Sequence, residues 1–170
     1  PTIGIEKLQS NAETVKDMID DLVAGGATDA PQGLFWAWEV LMPGQPFNEA
    51  VVNPPFQRAQ AIVFMTDGEN VGSNGDAYHG WFGEGNTAGT MNSKGDITIP
   101  YGAPDEKNNL NGRLLQLATK IKGPDPMAPG AVKIYVIQYQ VNSATVKALL
   151  EDVATQPTAP YYFFAANGTQ

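Results

Sequence analysis

Apolar positions along the chain fall into two rhythms. Val15, Met18, Ile19, Leu22 and Val23 recur every three or four residues, which lays one apolar stripe along a helix. Leu34, Trp38 and Leu41 repeat that spacing. So do Leu110, Leu114, Leu117 and Ile121, and finally Val146, Leu149, Leu150 and Val153. Punctuation agrees with these four helices. Ser10-Asn11-Ala12-Glu13 has the form of a capping box before the first, and Gly25-Gly26 ends it. Pro31 suits the first turn of the second, which stops at Pro43. Gly123 and Pro124 close the third, and Asn142 or Ser143 caps the fourth. Between them lie runs of β-prone residues at 61–65, 134–139 and 161–165, with a shorter one where Ile3 and Ile5 flank Gly4. The 61–65 run has no polar break, which predicts a strand buried on both faces, as in parallel sheets. Strands alternating with helices give an α/β fold with a mostly parallel sheet and right-handed crossovers.

The 61–65 run ends in Thr66-Asp67-Gly68-Glu69-Asn70. Ligands of open parallel sheets sit beyond the carboxyl ends of the strands, so Asp67 stands where binding or chemistry is expected. A plain turn at Asp67-Gly68 is the competing reading. Thr28, after Gly25-Gly26-Ala27, has a helix cap as its ordinary role. The stretch 71–104 is a polar, long and aperiodic insertion, and loops of that length are usually functional or mobile. It carries His79, Trp81, Phe82 and Tyr101, which either form a recognition surface or pin the loop to the body.

Length and composition narrow the class. A chain of 170 residues with 42% hydrophobic content predicts a single folded domain over 1–170. A net charge of −8 without a basic patch argues against nucleic acid as a partner. There is no cysteine, so disulfides and thiolate metal sites are excluded. With one histidine, His-pair metal sites and Ser-His pairs have little material. No run is long enough to span a bilayer and no signal peptide is visible; the start at Pro1 suggests an excised fragment or a processed form. Val71 stands where a calcium loop needs Asp or Asn, and neither a Gly-Lys-Ser/Thr loop nor a Gly-x-Ser-x-Gly elbow occurs. Asn167-Gly168-Thr169 is a bare three-residue glycosylation match. Asp67 as the nucleophile or Mg²⁺ ligand of an α/β hydrolase or phosphotransferase rests only on its strand-end position.

Gly25-Gly26-Ala27-Thr28 with Gly33-Leu34, and Val63-Phe64-Met65-Thr66-Asp67-Gly68, together resemble a von Willebrand factor A (VWA) domain. The helix 33–43 with Trp36 and Trp38, the Thr66-Asp67-Gly68-Glu69-Asn70 run, the polar insertion at about 71–104 and the 133–137 strand are most similar to TadG-like pilus-assembly proteins of bacterial tight-adherence (Tad) systems. The resemblance covers most of the chain from about Leu8. It implies a Rossmann-like three-layer α/β/α body and a metal-ion-dependent adhesion site that uses Thr28 and Asp67. Hydroxyl and carboxylate oxygens suit Mg²⁺, Ca²⁺ or Mn²⁺, and an open coordination position accepts a partner's carboxylate. It further implies a non-enzymatic protein-binding module outside the cytoplasm, in a parent anchored by an N-terminal membrane helix, with a pilus or envelope component as partner.

The family's central first strand ends in Asp-x-Ser-x-Ser, and the chain has no such motif; Asp96-Ile97-Thr98 is the nearest echo. The expectation is a truncated domain that begins after that strand and the helix following it, with a partial metal site at Thr28 and Asp67. Its sheet would lack the middle strand, leaving a gap for another copy of the chain, a separate fragment or an altered strand order. The remaining alternative is a structural VWA scaffold with a vestigial metal site, whose contacts come from the 71–104 insertion.

Overall fold

The structure, a computed structural model, describes residues 7–8, 10–23, 28–50, 58–67, 69–70, 90–91, 97–98 and 106–167. Within them the order is α1 (Ala12–Asp20), α2 (Ala30–Leu41), β1 (Ala61–Thr66), β2 (Thr90–Met91), β3 (Ile97–Thr98), α3 (Glu106–Lys122), β4 (Lys133–Tyr139), α4 (Ala144–Val153) and β5 (Tyr162–Ala165). β1, β4 and β5 form a parallel sheet in that order, with Ala61 level with Lys133, Thr66 with Gln138, and Val136 with Tyr162. Parallel neighbours need crossovers, and α3 and α4 lie in the two connections. β2 and β3 make a separate antiparallel ladder. The arrangement is mixed α/β and compatible with a Rossmann-like fold.

Side chains alternate across a strand, and here the parity decides the core. Ile62, Phe64, Ile134, Val136 and Tyr162 face the helices, meeting Leu34 of α2, Leu114, Ala118 and Ile121 of α3, and Val146, Leu150 and Val153 of α4. Each fully buried aliphatic side chain contributes about 1.5–3 kcal/mol relative to exposure. The opposite parity is open. Val63 is 69% exposed, Met65 65% and Phe163 50%. The strand expected to be buried on both faces is therefore buried on one. An all-apolar run hides its own alternation, because nothing polar marks the uncovered side. The described elements form two layers, helices over sheet, where the resemblance implied three.

α1 also departs from expectation. Its cap is Asn11, whose side chain accepts from the Glu13 N–H at 3.0 Å. Glu13 turns away from the capping box to pair with Lys16 at 2.7 Å. The helix stops at Asp20 and buries no residue, so the stripe bearing Val15, Ile19, Leu22 and Val23 is exposed. Both ends of α2 and of α4 are closed. Asp29 accepts from Gln32 N–H at the start of α2, and Gln60 Nε2 donates to the Leu41 carbonyl at its end. Ser143 caps α4, while Lys122 Nζ donates to the Asp152 and Ala154 carbonyls at the far end, 2.6 and 2.8 Å away. Gly123, at φ +67, takes the left-handed position that ends α3.

Ile3, Ile5, Gly25, Gly26, Gly68, His79, Trp81, Phe82, Asp96 and Tyr101 lie outside the described residues. Among the described residues no helix is long and apolar enough to cross a membrane.

Candidate functional site at the strand-end rim

The ladder of β1 closes at Thr66, and Asp67 emerges exposed just beyond it. The chain then turns back into the body, and Asn70 is 3% exposed. A buried carboxamide is stable only with its donors and acceptors engaged. Asn70 Oδ1 accepts from the Ala30 N–H at 2.9 Å, and its Nδ2 donates to Asn111 Oδ1 at 2.8 Å. Ala30 is the first residue of α2, and its N–H is among the donors that a helix start leaves without an internal partner. Asp29 satisfies one such donor and Asn70, from the far side of the rim, satisfies another.

This contact joins the two segments singled out by sequence. Thr28, half-buried, stands two residues before Ala30, and Asp67 stands three residues before Asn70. The segments meet through Asn70 at the C-terminal end of β1. The capping role open to Thr28 is filled by Asp29 instead.

Two more groups stiffen the rim. Gln138, level with Thr66, is buried; its Oε1 accepts from the Tyr162 hydroxyl at 2.5 Å and its Nε2 donates to the Val141 carbonyl. Burial and the nearby Glu151 charge push the Tyr162 phenol above its ordinary range. Arg113, on α3, is half-buried. Desolvation lowers its guanidinium pKa, and the charge of Asp29 opposes that shift.

The donor chemistry limits what the rim can hold. Mg²⁺ takes about six oxygen ligands in a near-octahedral shell. Asp29 Oδ1 and Asn70 Oδ1 are engaged by backbone N–H groups. Among the described residues no three His, Asp or Glu side chains gather at one place. Thr28 and Asp67 thus offer hard oxygens without a full shell, and the described residues alone do not fit a tightly held ion.

Asn70, Asn111 and Gln138 were not singled out from sequence. Gln138 left a trace, as the one amide at a helix-facing position of the β4 run. Asn111 left none, since a polar residue beside Leu110 looks like any surface position of a helix. A cleft of about 420 Å³ lies at the opposite end of the sheet, lined by Arg58, Gln60, Met127 and Lys133. The Lys133 ammonium is engaged there by the Pro126 and Ala128 carbonyls. Its place at the amino ends of β1 and β4 is not where parallel sheets usually bind ligands. Compared with family models, curated proteins and solved structures, the chain matches none.

Proposed function

We propose that the chain is a non-enzymatic, VWA-like protein-binding module of a bacterial envelope or pilus-assembly protein, working on the extracytoplasmic side through the rim that holds Thr28 and Asp67. The observation that supports this reading is the Asn70–Ala30 hydrogen bond, which draws the two segments to one end of β1. A carboxylate and a hydroxyl on segments linked in this way suit a weakly held Mg²⁺, Ca²⁺ or Mn²⁺ ion that a partner's carboxylate completes. Mn²⁺ titration followed by NMR tests it. Both the Thr28 and the Asp67 amides should broaden together, and Asp67→Ala should remove the effect at both. Broadening of one segment without the other ends the shared-site reading.

The short donor set favours a second reading, a VWA-like scaffold with a vestigial metal site and contacts supplied by the 71–104 insertion. Partner binding that survives Asp67→Ala but is lost on deleting 71–104 selects it.

A further inference from the structure

We propose that the open face of the sheet is covered by α1 of a second copy, each chain lending its helix to the other in a two-fold pair. The large apolar side chains that the described residues expose are concentrated on two surfaces. One is the sheet face of Val63, Met65 and Phe163. The other is the stripe of α1, where Ile19, Leu22 and Val23 are 59%, 62% and 68% exposed. Parallel sheets are ordinarily covered by helices on both faces. The open face therefore lacks a helix with an apolar stripe, and α1 is such a helix with nothing buried under it. Apolar residues of α2, α3 and α4 are already committed to the covered face. Outside the described residues, no stretch carries five apolar positions at the spacing of Val15, Met18, Ile19, Leu22 and Val23.

The two surfaces match in size and character. Met65, Ile137 and Phe163 stand level across the three strands, and Tyr135 is level with Val63 one row away. Rows two residues apart on a strand are separated by about 7 Å. Val15 and Ile19 are separated by about 6 Å along the helix. With that stripe on the sheet, Glu13, Asp17 and Asp20 fall on the opposite side of α1 and keep their contact with water.

The tether argues for a second copy. α2 begins on the covered side, where Asn70 holds Ala30 and Asp29 caps the helix. From Val23 to Asp29 the chain spans at most about 20 Å. Helices on opposite faces of a sheet are themselves about 20 Å apart, and a path around the strand ends is longer. Folding α1 back onto its own sheet would draw the link taut, and the single chain leaves both surfaces open. A second copy is free to approach the helix where it lies. A two-fold pair makes the contact twice. It covers twelve side chains that are 50–69% exposed, at roughly 100 Å² each. That reaches the area of about 1,200 Å² at which specific interfaces begin. The contact does not depend on a cation at the rim.

Sedimentation of the unaltered chain, up to about 0.5 mM, tests the proposal. A reversible dimer should form, and added NaCl should tighten it, because salt screens the repulsion between two chains of charge −8. Ile19→Lys on the helix and Met65→Asp on the sheet should each weaken it at least tenfold while leaving the urea midpoint of the dilute chain unchanged. Phe163→Asp replaces Met65→Asp if that variant does not fold. Mixing the helix variant with the sheet variant restores one native contact and sets Lys against Asp at the other. The mixture should associate at least fivefold more tightly than either variant alone. A chain that stays monomeric, a dimer loosened by salt or one indifferent to both substitutions overturns the proposal. So does a mixture no tighter than its components, which would mean that helix meets helix or sheet meets sheet.

Discussion

The two faces of the central sheet are built from the same kinds of residue and meet different fates. Ile62 and Phe64 are almost fully covered, whereas Val63 and Met65, one position away, are more than half exposed. Hydrophobicity does not separate them. What separates them is where the helices lie, since α2, α3 and α4 share one core with the covered parity. An apolar side chain contributes to stability only when something covers it. One face is thus the source of the fold's stability, and the other is surface available for contact.

Substitutions of graded size can break or sharpen that contrast. Leu114→Ala, at a site with no exposure, should cost about 2–5 kcal/mol in urea unfolding. Asn70→Ala strips the Ala30 N–H and Asn111 of their partner and should cost about 1–3 kcal/mol, with α2 amides near residue 30 losing exchange protection. Lys122→Met removes the donor to the last carbonyls of α4 and should cost about 1–2 kcal/mol, read as earlier fraying of that helix. Val63→Ala and Met65→Ala, on the open face, should stay within about 0.5 kcal/mol of the parent. A loss near that of Leu114→Ala at Val63 would mean that the open face is covered in solution.

A pH series probes the covered parity separately. The Tyr162 phenol titrates higher in the folded chain than its ordinary value of about 10, so the folded state holds the proton more tightly. Its stabilising contribution is complete below pH about 10 and is lost as pH rises through the folded value. Unfolding measured between pH 8 and 11 should show stability falling at the alkaline end, and Tyr162→Phe should flatten that slope.

Much of the architecture is legible in the sequence. The stripe of Leu110, Leu114 and Ile121 marked a helix that packs as expected, and Ser143 and Pro31 sit at the helix starts where capping rules put them. Boundaries and partners were less legible. Ser10 and Glu13 have the letters of a capping box, yet Asn11 is equally able to accept the hydrogen bond, and local sequence does not rank such competitors. α1 has as good an apolar stripe as any helix here, yet it buries no residue. The rim was half legible. Asp67 announced itself by ending an apolar run, whereas Asn70 and Asn111, forty-one positions apart, became partners only when the segment after β1 met α3.

Periodicity, caps and breakers set where helices and strands form, because those choices depend on residues within a turn or two of one another. The order of strands, the parity that reaches the core and the joining of Thr28's segment to Asp67's by Asn70 were decided only by tertiary packing. Burial and hydrogen-bond partnership are properties of neighbours in space, and an apolar strand or a lone asparagine carries no local mark of what will lie against it.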